Sequence, residues 1–244
     1  MKTGKYNKIG MAKLLVVTGG SKGIGRAILE KFAAGGFDVC TCSRGKGDLE
    51  KLSGELTGKY GVKAHYLVAD MTKKDQVKAF TDYVSSLKRP VDVLVNNAGH
   101  FLPGQVIDEP EGTLESMIES NVYSAYYTTR GLAPAMKQSK AGHIFNMCSI
   151  ASIKAYPNGG SYAISKFALL GLSKVLREEL KEFGIRVTAV MPGATLTASW
   201  EGSQHPPERF MRPEDVADII WGAHALSPRS VVEEILIRPQ LGDI

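Results

Sequence analysis

Apolar residues along this chain fall into short unbroken runs, and between the runs they recur every three or four positions. The run at 13–18 is β-branched and closes on Gly19-Gly20. Residues 24–34 then have helical spacing and stop at Gly35-Gly36. The same alternation continues with a strand at 37–42, a helix at 48–60, a strand at 62–69, a helix at 72–87 capped by Thr72, and a strand at 91–95. The second half predicts one long helix over 113–137 with a kink at Pro134, a strand at 143–148 and a long helix over 161–183 ending at Gly184. A strand at 185–190, a helix at 213–225 opening on Pro213 and a last strand at 231–237 complete it. Strands that are apolar throughout are buried on both faces. The pattern therefore predicts a single α/β domain over 1–244: a doubly wound, seven-stranded parallel sheet with helices on both faces. The longest irregular stretch falls late, and residues 194–211 within it are expected to form a substrate loop.

Composition narrows the function classes. The chain has 244 residues, 43% of them hydrophobic and 23% charged, which suits one soluble domain. A net charge of +5 is spread along the sequence rather than gathered into a stripe, so no nucleic-acid partner is expected. Residues 1–12 are polar and basic, without an apolar segment; they read as a flexible leader, with Met11 an alternative start. No run is long enough to span a membrane, and a cytoplasmic location is the default expectation. Cys40 and Cys42 share one face of a strand and, with Cys148, read as reduced core residues. The histidines show no ligand spacing, so no metal is assigned.

Candidate chemistry begins in the first strand–helix turn, Thr18-Gly19-Gly20-Ser21-Lys22-Gly23-Ile24-Gly25. Glycines let the backbone turn tightly and approach a ligand, and a helix N-terminus offers free N–H groups to a pyrophosphate. The spacing is G-x-x-x-G-x-G, and its place in the first βα unit points to a dinucleotide. Readers of NAD place a carboxylate at the tip of the second strand. Here the tip is Cys42-Ser43-Arg44, and Asp38 lies at the opposite end. Arg44, with Ser43 and Lys22, suits a 2′-phosphate, so NADP(H) is the predicted cofactor.

Tyr162 and Lys166 are four residues apart on a predicted helix and so share a face. A neighbouring ammonium lowers a phenol's pKa, so the pair reads as a tuned acid/base. Ser149 precedes Tyr162 by thirteen residues; Ser152 is its rival after the same strand.

With these residues in place the chain resembles the classical short-chain dehydrogenase/reductase family, a Rossmann-fold family, over nearly its whole length. Asn96-Asn97-Ala98-Gly99 matches the family's N-N-A-G motif lining the cofactor cleft, and Asp70, followed by Met71, its adenine contact. Asn121 matches the asparagine of a Ser–Tyr–Lys–Asn tetrad. Pro192-Gly193, with Thr195 and Thr197 following, matches the loop beside the nicotinamide. The closing segment, 231–244, lacks the D-G-G type tail usual in acyl-carrier-protein ketoreductases and, with 143–145, 154–155 and Trp200, is similar to bacterial sepiapterin reductase-like members. Ser124 departs from the glycine many members carry there.

The resemblance implies NADPH-dependent reduction of a small ketone, sepiapterin-like or a diketone. Tyr162 is then the proton donor, Ser149 binds the carbonyl oxygen, Lys166 holds the nicotinamide ribose, and Asn121 anchors a proton-relaying water. His100, Phe101, Tyr156 and Trp200 are candidates for an aromatic substrate wall. The alternatives are a 3-oxoacyl-thioester reductase and, from another class, a non-catalytic NADP(H)-sensing module. The family also implies a homodimer or homotetramer built on the two long helices.

Overall fold

The computed structural model describes residues 11–244. Of the expected leader, residues 1–10 lie outside the described residues; Ala12 is tied in, its carbonyl accepting a hydrogen bond from Arg89. Strands β1 (Leu14–Thr18), β2 (Asp38–Ser43), β3 (Ala64–Val68), β4 (Val93–Asn96), β5 (Gly142–Met147), β6 (Ile185–Pro192) and β7 (Glu234–Ile237) form one sheet in the order β3-β2-β1-β4-β5-β6-β7. All six pairings are parallel. The chain runs outward from β1 to β3, then returns to β4 on the other side of β1. That reversal opens a crevice at the carboxyl ends of β1 and β4.

The helices are α1 (Gly23–Ala34), α2 (Lys46–Tyr60), α3 (Lys74–Ser86), α4 (Thr113–Ile118), α5 (Ser124–Ser139), α6 (Gly160–Leu180) and α7 (Pro213–Ala225). Strand β1 shows why its run is apolar throughout. Leu15 and Val17 enter a core with Phe32 of α1 and Ile220 of α7, while Leu14 and Val16 enter a second core with Phe80 of α3 and Leu132 of α5. Each fully buried large side chain, such as Phe32, contributes roughly 1.5–3 kcal/mol. Cys40 and Cys42 are free thiols in the second core, and burial pushes both up, Cys42 to about 12.

Two expectations are corrected. Helix α3 begins at Lys74, not at Thr72; the Thr72 N–H and hydroxyl instead donate to Asp70 at 3.0 and 2.9 Å. The helix predicted over 113–137 is interrupted by a π-helical segment, Glu119–Tyr123, between α4 and α5, whereas Pro134 sits inside α5. Such wide turns accompany functional sites, and Asn121 is in this one. The Ser124 hydroxyl donates back to the Ser120 carbonyl within this buried stretch. The 194–211 loop is closed at its base, where Met211 N–H donates to the Ala194 carbonyl and Leu196 N–H to the Met211 carbonyl, at 3.0 and 2.8 Å.

Candidate active site

The tips of β1 and β4 are stitched together. The Thr18 hydroxyl accepts the N–H groups of Asn97 and Ala98, both at 3.0 Å, and the Asn97 amide donates to the carbonyls of Thr18 and Gly19 at 3.0 and 2.9 Å. This fixes the glycine turn over the N-terminus of α1. Gly19 has φ +67°, and a side chain on Gly25 would lie 2.5 Å from both Asn97 Nδ2 and the Gly19 carbonyl. Gly23 faces the Thr197 methyl across the same turn.

At the tip of β2 the Ser43 hydroxyl is buried without a hydrogen-bond partner, and Arg44 beside it is exposed with no ion pair among the described residues. Its charge reaches Asp70. Burial pushes the Asp70 carboxyl up, but the Thr72 hydrogen bonds and the charges of Arg44 and Lys73 together hold it below its ordinary value. Lys22 is spent differently, on an exposed ion pair with Asp48 at 3.3 Å. Asp38 forms a buried pair with Arg89 at 2.6 Å and accepts the Lys63 N–H at the far end of the strand.

A cleft of about 430 Å³ lies beyond these tips. Ser149, Tyr162 and Lys166 line it together with Ile24, Asn97 and Gly99. Pro192, Gly193, Thr195 and Thr197 line it as well. Lys166 is buried, and its Nζ donates to the Met147 carbonyl at 2.8 Å, 5.6 Å from the centre of the Tyr162 ring. Burial dominates both groups. It brings the Lys166 ammonium down to about 8 and, against the interaction with the Ser149 hydroxyl, pushes the Tyr162 phenol up to about 12. This is opposite to the lowering expected from the sequence spacing. The ammonium is turned to the main chain, and the phenol's loss of solvation outweighs the hydrogen bond with Ser149. Ser152 stays behind the cleft wall: its hydroxyl accepts the Ser149 N–H, while Ser149 Oγ accepts the Ala151 N–H, closing a capping box on a short turn.

The Asn121 side chain lies directly behind Gly99 of the cleft wall. It is fully buried; its Oδ1 accepts the His100 N–H at 3.0 Å, and its amide donates to the His100 carbonyl and Ser165 Oγ at 3.1 and 2.9 Å. It clamps His100 by the backbone. His100, Phe101, Tyr156 and Trp200 all line the cleft, with Phe101 edge-on to Tyr162 at 4.8 Å. Burial, then the charges of Arg44 and Lys166, hold His100 below its usual range. Trp200 packs on Phe210 at the loop's far end, at 5.1 Å.

Sequence reasoning missed Cys148, Lys154 and Asp243 as lining residues. Asp243 comes from the far end of the chain, brought back by a turn in which Gly242 N–H donates to the Pro239 carbonyl; Arg238 grips it with two bonds at 2.9 and 2.8 Å. No local pattern marks such a return. Among the described residues no group of three or more His, Cys, Asp or Glu could hold a metal ion, and no helix is long and apolar enough to cross a membrane.

The sheet order, the glycine turn at the switch point and a Ser–Tyr–Lys cluster at the strand ends define a doubly wound α/β domain with its cleft where the topology reverses. The model of the short chain dehydrogenase family matches residues 13–207, and the chain belongs to that family. It is 34% identical over 242 residues to a sepiapterin reductase of Chlorobaculum tepidum, covering 96% of this chain and 99% of that one. Among solved structures it is similar to an alcohol dehydrogenase from the archaeon Thermococcus sibiricus complexed with 5-hydroxy-NADP, with 28% identity, a TM-score of 0.88, and 93% and 97% of the two chains covered. It is likewise similar to L-sorbose reductase from Gluconobacter frateurii complexed with NADPH and L-sorbose, with 27% identity, a TM-score of 0.88 and 98% of each chain covered.

Proposed function

We propose that the protein is an NADPH-dependent reductase of a small ketone, sepiapterin-like or a diketone. The observation that carries this reading is the convergence of Ser149, Tyr162 and Lys166 in the lining of the cleft, beside a glycine turn that a side chain would fill. The residues present fit NADP(H). Gly19, Ser21, Gly23, Ile24 and Gly25 supply open backbone at the start of α1. The Ser43 hydroxyl and the exposed Arg44, neither of them partnered among the described residues, suit a 2′-phosphate. Asp70 and Met71, then Asn97, Ala98 and Gly99, continue along the strand tips, and the 192–197 segment completes the site.

Bound NADPH supplies the hydride. The protein's part is to position and to protonate. A phenol held near 12 is neutral at physiological pH, so Tyr162 stands ready as a proton donor to the carbonyl oxygen. The Ser149 hydroxyl donates to that oxygen and stabilises the charge that develops there. Lys166, anchored on Met147, supplies positive charge beneath Tyr162 and holds the cofactor ribose. Asn121 acts from behind by fixing the His100 backbone.

The aromatic side of the cleft favours a compact, planar carbonyl compound over a carrier-bound acyl chain. A panel of diketones, pterins and acetoacetyl thioesters, followed by loss of NADPH absorbance, tests this; turnover of the thioesters alone sinks it. Tyr162→Phe should abolish turnover and leave NADPH binding intact. Surviving turnover excludes Tyr162 as donor. The same reading includes a cytoplasmic homo-oligomer, supported by the exposed Tyr123, Phe167 and Val175 on and beside α5 and α6. Light scattering reads its mass, and a monomer contradicts it.

A further inference from the structure

Helix α6 carries Tyr162 in its first turn and Lys166 one turn on, yet its N-cap residue, Gly159, offers no side chain to the free N–H groups there. The missing acceptor comes from elsewhere. Glu109, 52 residues from Ser161 in sequence, accepts the Ser161 N–H on Oε1 at 2.9 Å and the Ser161 hydroxyl on Oε2. Two glycines make room for it. A side chain on Gly104 would lie 2.6 Å from Glu109 Cγ, and one on Gly160 would collide with its carboxylate. The negative charge sits at the positive end of the helix dipole.

The segment that brings Glu109 also forms a cleft wall. Its start, His100, is gripped on both backbone sides by Asn121. Phe101 meets the Tyr162 ring edge-on, and Gly104 N–H donates to the Asn158 carbonyl at 3.1 Å. Residues 100–109 are thus fastened at one end behind the cleft and at the other to the first turn of α6, with Tyr162 between the two fastenings.

We infer that Glu109 is a positioning residue for the proton transfer: it sets the first turn of α6, and with it the Tyr162 hydroxyl, relative to Ser149. This rests on the reading of Tyr162 as proton donor. The experiment compares Glu109→Ala and Glu109→Gln in the full chain. It measures kcat and KM with the carbonyl that the wild-type protein turns over fastest, NADPH affinity by fluorescence, and hydrogen exchange of the 160–166 peptide without substrate. E109A should lower kcat by roughly tenfold or more, since small displacements of a reacting group are costly, with NADPH affinity within about twofold and faster exchange at 160–163. E109Q keeps an acceptor for the Ser161 N–H and should recover most of kcat.

Leu56→Ala in α2, remote from the site, controls for lost stability and should leave kcat unchanged. An E109A protein with wild-type kcat or unaltered exchange overturns the inference. So does an equal loss of kcat in L56A, or an E109Q no better than E109A. Should E109A not fold, Glu109→Asp, one methylene short, carries the same expectations in milder form. A wild-type protein that reduces no carbonyl in the panel contradicts the proposed function instead; the exchange measurement then still judges the brace.

Discussion

Lys166 turns its ammonium onto the main chain rather than onto Tyr162: Nζ donates to the Met147 carbonyl at 2.8 Å while lying 5.6 Å from the Tyr162 ring centre. Met147 ends β5, so the cation is fixed to the sheet and does not depend on the phenol for its place. Burial separates the two groups in opposite directions, Tyr162 to about 12 and Lys166 to about 8. At neutral pH the site therefore holds a protonated phenol and a charged ammonium together.

A pH profile follows from that pair. Lys166 loses its charge as pH rises through about 8, well before Tyr162 ionises. Reductive kcat/KM should fall above pH 8 on a one-proton limb, with Tyr162 silent across the range. Lys166→Arg keeps a cation at all these pH values. It should remove the alkaline limb, at some cost in kcat. A limb of the same midpoint in K166R would assign the titration to another group.

Cofactor choice should follow Arg44. Its side chain is exposed, without an ion pair among the described residues, beside the buried and unpartnered Ser43 hydroxyl. A hydrogen bond to a charged group contributes about 1.5–3 kcal/mol, or roughly ten- to a hundredfold in affinity. Arg44→Asp should therefore raise the KM for NADPH by about that factor and improve the use of NADH. Steady-state kinetics with both cofactors decides it. An unchanged NADPH/NADH ratio would mean that Arg44 is only surface charge.

The fold was legible because the inner strands β1, β4, β5 and β6 are buried along almost their whole length, the edge strands β3 and β7 less so, and because glycines and prolines punctuate the helices. Even the purpose of Asp38 was half visible: too far from the β2 tip to read a ribose, it is spent on Arg89. What stayed hidden was set by tertiary context. The π-segment at Asn121 cannot be seen in a pattern that reads as one helix over 113–137. The direction of the Tyr162 shift depends on how much water the fold removes, which spacing does not encode. Glu109 and Asp243 reach the site by long returns of the chain, and neither lies in a motif.

The glycine turn predicts its own sensitivity. A methyl group at residue 25 would press on Asn97 Nδ2 and the Gly19 carbonyl, both 2.5 Å away, and these two are already bonded to each other. Relief requires moving the stitch between β1 and β4. Gly25→Ala should cost about 1–3 kcal/mol of stability, in the range for overpacking, and weaken NADPH binding by tenfold or more. Urea denaturation and a fluorescence titration measure the two. Wild-type affinity would show that the turn can shift without loss.

Acid should destabilise the protein through two buried histidines. Thr188 Oγ1 donates to the Val232 carbonyl at 2.6 Å, so the 2.8 Å contact with His143 is a donation from His143 Nε2. That leaves His143 Nδ1 as a bare lone pair, buried and unpartnered, and His224 Nδ1 is buried and unpartnered too, the rings 5.8 Å apart. Burial, reinforced by the charge of Arg186, holds His143 well below 6.5; burial, with Arg186 and Lys13, brings His224 to about 3. The folded chain thus binds fewer protons than the unfolded one between about pH 3 and 6.5. Stability is fully present above about 6.5 and falls as pH drops through that window, by about 1.4 kcal/mol per pH unit for His224, with His143 acting in the same direction. Between pH 7.5 and 5.5, urea denaturation should show a loss of about 1.4 kcal/mol from His224 alone, with His143 adding to it. His224→Phe, which keeps the ring among Phe32, Phe37 and Trp221, should remove the His224 part of that slope. An undiminished slope in H224F would place the acid sensitivity elsewhere in the fold.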